Sequence, residues 1–596
     1  MPSVSRRTFL AAAGLAGAVS RMRAQSAGDD VILKALREEL ERSRKLKAPG
    51  ASSDSPGDDA PYFISYTLDD ADNFSAAATL GAATQTTHNR FRAPLVEVRV
   101  GSYDFDNTGH VYSGYYDGAR YDTESLPLDD SYAELRQRLW LATDFAFKAA
   151  IESIARKRAT LNNAAVSAEK LPDYSKADAF VKLDQTGLAP VDQDLWVKRV
   201  EKLSETFRRY PAVLASGVEF NLNQDVTYFV DTEGTALRYQ DDTTWYFARA
   251  EGQASDGMYV RDALGIPALG VAQLPGDADI EKQIRAMGDN VQALVNAPLG
   301  DAFTGPVLFE PLAAAQLFAQ LLGDNLHTTR KPVTDPRRPL NLSESEFQSR
   351  MGGRVLPEWM DVADDPTADM WHGRPLIGGY PFDMEGVKPR PVSVIEKGVF
   401  KAFLATRQPA KNALVSSGHA RLMGGFGAHA AAISNLLVQA REAEALSALK
   451  ARLIQMCKDR DLPYGLLIRK LDFPFAGSNA EIQSLQATST QSGGSIRPLS
   501  PPLLAYRVYP DGREQLVRGL RFKGVRTRSL RDILAASSET AVLDYINNGA
   551  PLARAGVGGY IAPTSVVAPG VLFDELEVDR GQEQLEKPPI VSPPSA

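Results

Sequence analysis

A chain of 596 residues cannot close around one hydrophobic core, because cores stop growing at roughly 250–300 residues and longer chains divide. Two large domains or three smaller ones are expected. Hydrophobic residues make up 44% of the chain and charged residues 23%, enough apolar surface to fill those cores. The formal net charge is −8, so no surplus of Lys and Arg exists to displace counterions from a phosphate backbone, and nucleic acid is not an expected partner. The single cysteine, Cys457, excludes an internal disulfide and any site built on two thiolates.

At the start of the chain, Ser5-Arg6-Arg7-Thr8-Phe9-Leu10 precedes an apolar run from Phe9 to Val19, with Arg21 and Arg23 beyond it. This resembles a twin-arginine signal peptide. The run is about half of the roughly 20 residues that a membrane-spanning helix needs, and no later segment is apolar for as long. The expectation is a signal over residues 1–27, cut between Ser20 and Ala27, and a periplasmic or secreted protein without a membrane span.

Asp29 to Lys47 carries Ile32, Leu33, Leu36 and Leu40 at helical spacing, predicting an amphipathic helix. A polar, Gly/Pro-punctuated linker covers residues 48–60. From Tyr62 to Tyr121, runs such as Val96-Glu97-Val98-Arg99-Val100 predict a sheet. Ser131-x-x-Glu134 predicts a capping box opening a long helix. Further helices carry Trp196, Val200, Leu203 and Phe207, then Ile280, Ile284, Met287, Val291 and Leu294, while Val218, Phe220 and Leu222 alternate as in a half-buried strand. The reading is an α+β protein: an N-terminal mixed helix–sheet domain (28–300), a strand-rich C-terminal domain (301–582) beginning near Gly305-Pro306, and a Pro-rich tail (583–596). Cys457 falls on the apolar face of a helix with Leu446, Leu449 and Leu453, where it packs as a small hydrophobe.

Catalytic motifs are scarce. The histidines are His88, His110, His327, His372, His419 and His429; none forms HExxH. No nucleophile elbow, Walker loop or dinucleotide fingerprint occurs, and Gly424-Gly425-x-Gly427 reads as a turn. Asp364-Asp365 lacks the ligand spacing of a calcium loop and reads as a solvated turn.

Longer matches lie in the second half. Gly378-Gly379-Tyr380-Pro381-Phe382-Asp383-Met384-Glu385-Gly386-Val387, then Val394-Ile395-Glu396-Lys397-Gly398, Ser417-Gly418-His419-Ala420-Arg421 and Ile433-Ser434-Asn435-Leu436, resemble successive blocks of the TldD/PmbA family of metallopeptidase-like proteins. Asp364-Asp365-Pro366-Thr367 and Ala568 to Leu576 resemble flanking segments. The likeness covers about residues 300–580. In catalytic members it implies an H-E-x-x-x-H segment, whose histidines bind zinc with a more C-terminal cysteine while the glutamate activates the bound water. Here the matching segment is Phe309-Glu310-Pro311-Leu312-Ala313-Ala314. Phe309 and Ala314 stand where the histidines would, and no cysteine follows Cys457. Glu310 holds the position of the family's catalytic glutamate, and otherwise reads as a first-turn acid complementing the helix dipole.

The resemblance implies a PmbA (TldE)-like subunit without metal or cofactor. Its expected partners are a TldD-like catalytic subunit, or copies of itself, and a peptide or unfolded-protein substrate. Two alternatives stand beside it: an active metallopeptidase holding zinc through His372, His419 or His429, and a stand-alone peptide-binding protein. The export signal yields the first prediction. Replacing Arg6 and Arg7 together with lysine should trap precursor in the cytoplasm, and cell fractionation that finds undiminished mature protein outside the inner membrane contradicts the assignment.

Overall fold

Three strands of 19 residues, β1 (Pro61–Thr79), β2 (Ala82–Val100) and β3 (Val213–Asp231), form the spine of the N-terminal region. The computed structural model describes residues 30–48, 60–111, 120–121, 125–162, 170–334, 344–424, 428–473, 499–548, 561–581 and 585. The signal segment, Gly425 and Gly427, and all of the linker and tail but their residues 48, 60 and 585 lie outside the described residues. β1 and β2 are antiparallel, joined through Leu80 and Gly81, both at positive φ (47° and 83°), as a two-residue hairpin turn requires. On the other side of β1 lies β3, which pairs with β4 (Ala236–Gln240) near its end and β5 (Thr243–Gln253) near its start; β6 (Tyr259–Ala268) continues outward from β5.

Strand side chains alternate between faces, and the parity here is consistent over the whole length. Even-numbered Ile64, Tyr66 and Leu68 of β1 and Val226, Tyr228 and Val230 of β3 are buried with helices α1 (Val31–Ser43) and α2 (Tyr132–Leu161). Even-numbered Phe74, Ala76, Val218 and Phe220 are buried with α3 (Gln193–Glu205) and α4 (Asp277–Asn296). Four helices thus cover one face, leaving the odd-numbered face toward the C-terminal region. The predicted stripes on α1, α3 and α4 are buried. The predicted capping box does not form: Ser131 occupies the N-cap of α2 without a side-chain cap bond, and Glu134 instead pairs with Arg138 one turn on, at 2.9 Å.

The C-terminal region is built on a second sheet around its last strand. β7 (Phe303–Phe309), β8 (Met360–Asp364), β9 (Val392–Glu396), β10 (Asn435–Ala440), β11 (Gly465–Leu471), β12 (Pro502–Val508), β13 (Ile533–Asn547) and β14 (Ala562–Arg580) include its main members, in the order β9-β8-β10-β14-β7-β11-β12 with β13 also on β14. The predicted boundary pair, Gly305-Pro306, lies inside β7 rather than between elements. Helix α5 (Pro311–Leu321) is buried from Ala313 through Leu321, its Gln316 and Gln320 hydrogen-bonded inside the core, so it is buried all round rather than striped. On α6 (Leu446–Asp459), Leu449, Leu453 and Cys457 form the buried face. No helix among the described residues is long and apolar enough to cross a membrane.

A correction concerns Asp364. It is fully buried rather than in a solvated turn, because it ends β8 and accepts hydrogen bonds from the Ser434 backbone N–H (2.9 Å) and His419 Nε2 (3.0 Å). Beside it, the Gly378 N–H donates to Asn435 Oδ1 at 2.9 Å, and a Cβ added to Gly378 would lie 2.2 Å from the Ser434 carbonyl oxygen. Gly378→Ala should therefore cost about 3 kcal/mol, measured as a lower denaturation midpoint; an unchanged midpoint would contradict this packing.

Candidate functional site

β7 runs parallel to β11 and antiparallel to β14, and its end delivers Phe309 and Glu310 to the start of α5. Pro311 fits the first helical position because it has no N–H to leave unpaired. Phe309 and Ala314 are wholly buried in one apolar cluster. The Phe309 ring lies 5.7 Å from that of Phe522 and 5.5 Å from that of Phe573. Neither side chain carries a lone pair that could bind zinc.

Glu310 is the N-cap residue rather than a first-turn acid, and its side chain makes no cap bond. Its carboxylate accepts from Arg469 Nε at 3.1 Å, and Arg469 also donates to Glu514 at 2.7 Å. The guanidinium stands 4.3 Å from the Tyr506 ring. The carboxylate is thus held in an ion pair, not directed at a neighbouring metal-ligand set.

Beside this pair opens a cleft of about 740 Å³ between the two regions, within the range of ligand sites. One wall is Asp262–Ala268 of β6 with Met287 and Asn290 of α4; the other includes Leu312 and Gln316 of α5, Arg469, and Val542–Asp544 of β13. Phe309, Glu310 and Ala314 are not in its wall. Among the described residues β6 pairs only with β5, and Val542–Asp544 pair only with β14, so two strand edges face the opening. Lys470 Nζ donates to the Ala263 carbonyl at 2.9 Å and pairs with Asp262, tying the walls together.

The histidines do not converge. His419 Nε2 bonds Asp364 and its Nδ1 the Ser417 carbonyl (3.0 Å each), while His429 Nδ1 lies 3.3 Å from Glu385. His372 stacks on Trp371 in a hairpin turn. His110 bonds Thr160, and burial with help from Lys157 pushes its pKa down to about 4. Among the described residues no three His, Cys, Asp or Glu side chains are placed to hold a metal ion.

The sequence blocks instead meet in a buried polar network. Asp383 accepts from the N–H groups of Glu385 (3.0 Å), Val387 (2.9 Å) and Ala420 (3.1 Å). Glu385 accepts from the Arg407 N–H at 2.6 Å and faces His429, whose proximity holds the carboxyl below its usual range against the opposing effect of burial. Arg407, fully buried, reaches the N-terminal region, donating to the Ser175 carbonyl (2.7 Å) and Glu233 (2.8 Å) with its guanidinium 4.2 Å from the Tyr174 ring. Neither Arg407 nor the cleft residues of β6 stand out in the sequence: one is a lone arginine and the others an ordinary strand.

Residues 303–478 match the PmbA/TldA metallopeptidase C-terminal domain. A metalloprotease of Methanothermobacter thermautotrophicus is 23% identical over 211 residues, 35% of this chain and 43% of the relative. One of Archaeoglobus fulgidus is 36% identical over 78 residues, 13% of this chain and 17% of the relative. The chain therefore spans less than half the length of these curated relatives. Among solved structures, TldE from Thermococcus kodakarensis superposes with a TM-score of 0.54 at 15% identity, over 91% of this chain and 99% of that one. A candidate modulator of a DNA gyrase from Thermotoga maritima superposes at 0.52 with 17% identity, over 87% and 96%. At these identities the superpositions show the fold.

The contrast between neighbours is testable. Phe309→Ala should cost about 3–5 kcal/mol, as for a fully buried aromatic, whereas Glu310→Gln, which weakens a partly exposed ion pair, should cost under about 1 kcal/mol. Chemical denaturation of both variants measures the difference; equal costs would contradict the placement of either residue.

Proposed function

Because the chain belongs to the TldD/PmbA family, we propose that it is an exported, non-catalytic subunit of a metallopeptidase assembly that holds peptide or unfolded-protein substrates. The observation that carries this reading is the cleft between β6 and β13. An extended peptide can hydrogen-bond its main chain to open strand edges while side chains enter apolar pockets, whereas a folded protein has most of its backbone already paired. Binding by backbone suits a substrate class defined by being unfolded.

Zinc, which the resemblance implies for catalytic members, does not fit the residues here. Phe309 and Ala314 belong to the core, His419 and His429 are engaged with buried carboxylates, and Glu310 is paired with Arg469. Chemistry would then come from a ligand-bearing TldD-like subunit, across an interface that in obligate assemblies usually exceeds about 2,000 Å². A second reading, a stand-alone peptide-binding protein, draws on the same cleft.

Three measurements test the proposal. The isolated chain should bind a fluorescent unstructured peptide saturably, unaffected by chelator and without cleavage. Leu312→Glu, at a cleft position 37% exposed, should weaken that binding at least about tenfold, a loss near 1.4 kcal/mol. Purification from the periplasm should recover a second polypeptide with an intact H-E-x-x-x-H segment. Chelator-sensitive cleavage by the isolated chain, abolished in Glu310→Gln, overturns the non-catalytic assignment. A monomer or homodimer by native mass, with peptide cleavage unchanged by candidate partners, overturns the subunit assignment in favour of the stand-alone reading.

A further inference from the structure

A second cavity, of about 390 Å³, lies on the face of the N-terminal sheet that carries no helices. Strand parity puts Thr67, Asp69 and Asn73 of β1 and Asn223, Asp225 and Thr227 of β3 on this face. Asp241 follows β4 and donates its N–H to the Asp225 carbonyl at 2.9 Å. Asp383 and Arg421 close the cavity from the C-terminal region. Four carboxylates therefore share its wall with one guanidinium.

That guanidinium gives its hydrogen bonds elsewhere, although its charge acts on Asp241. Arg421 donates to the carbonyls of Ile433 (2.6 Å) and Pro563 (2.7 Å), and stands 4.5 Å from the Tyr380 ring. Asp383 is spoken for by three backbone N–H groups, and Asp69 accepts one bond, from Thr227 at 3.1 Å. Asp225 Oδ1 is buried with no hydrogen-bond partner. A buried acceptor left unpaired costs about 1–3 kcal/mol, so a donor reaching Asp225 Oδ1 would be stabilised there. The rest of the lining narrows the class of donor. Phe91, Leu95 and Phe229 supply apolar wall beside the acids, and the volume far exceeds the roughly 30 Å³ of a single water. No three acidic or imidazole side chains among the described residues are placed to hold a metal ion.

We propose that this cavity binds an aliphatic ammonium group, its charge on Asp225 and its neighbours and its alkyl chain against Phe91, Leu95 and Phe229. The ammonium can belong to a free amine or to a lysine side chain of a peptide. The site is separate from the β6–β13 cleft, and the proposal does not rest on the peptide-holding reading.

The electrostatics agree with the geometry. Burial raises Asp69 to about 6 and Asp383 to about 7, and raises Asp225 in the same direction with the surrounding carboxylates adding to the effect, while Asp241 stands exposed at the rim. The groups facing Asp225 are Asp69 from β1, Asp241 and Asp242 after β4, Tyr239 of β4, and Asp383 and Arg421 from the C-terminal region, with the charge of Asp70 acting from the opposite face of β1. For carboxyls whose folded pKa is raised, the native state holds the extra protons, so stability is present at low pH and falls as pH rises through the raised values. An ammonium entering the cavity reverses that trend and expels protons.

Calorimetric titration of the full mature chain tests this with three probes: protonated 1-aminopentane, an N-acetylated and C-amidated Gly-Lys-Gly, and neutral 1-pentanol. Saturable binding of the amine, at least about tenfold tighter than the alcohol and accompanied by proton release near pH 7, is expected. Binding of the amine alone assigns the site to free amines, whereas binding of the tripeptide as well assigns it to lysine side chains. Asp225→Asn should abolish amine binding yet raise the melting temperature of the empty protein, which a merely structural carboxylate would not do. Asp69→Asn provides the same pair of readouts should the first variant not fold, and Leu312→Glu should leave amine binding unchanged. Absence of saturable amine binding, equal binding of the alcohol, saturation by magnesium or calcium with both amines silent, or unaltered amine binding in the Asp variants each overturns the proposal.

Discussion

The buried guanidinium of Arg407 is the contact on which the arrangement of the two regions depends. It leaves the C-terminal region, enters the N-terminal one, and there meets the Ser175 carbonyl, Glu233 and the ring faces of Phe63 and Tyr174. Its own backbone is fixed in turn by Glu385, which is held beside His429. A charge this deep is costly without counter-charges and hydrogen bonds; Glu233 and the Ser175 carbonyl supply them at Nε and Nη2 while Nη1 has no partner, so the sheet face, the Asp383–Gly386 turn and the strands bearing His419 and His429 must assemble together. The cleft and the acidic cavity both lie between the regions that this network joins.

Much of the fold was legible in the sequence because it rests on periodicity. The stripes of α1, α3 and α4 and the alternation around Phe220 each follow from burying one face of a regular element. The capping box failed because Glu134 had a competing partner in Arg138, four residues along the same helix. Asp364 was misread for a similar reason: its partners, Ser434 and His419, are about 55 to 70 residues away, and a local reading of two adjacent aspartates shows only a turn.

The site was legible in a different sense. The resemblance drew attention to Phe309, Glu310 and Ala314, and the structure places them in a core cluster and an ion pair next to the cleft rather than in its wall. The wall-forming edge of β6 gives no motif because an edge strand differs from a central one only in what lies beside it. The acidic cavity left a partial trace in Thr67, Asp69, Ala71 and Asn73, an odd-numbered row of small and polar residues in a strand whose even-numbered positions are apolar apart from Asp70 and Asp72. That trace marks a face turned away from the helices, and only the third dimension adds Asp225 and Asp241 to it.

The tie between Lys470 and β6 bears on kinetics. With one end of the cleft pinned, the distance between its strand edges is set before anything arrives, and occupancy needs no closing motion. On the proposed peptide-holding reading, the slow event is then in the guest, which must expose a stretch of unpaired backbone. Capture of a marginally stable protein would be gated by how often that protein frays, so two guests of identical sequence in the captured stretch would be taken up at rates set by the stability of the folds around it.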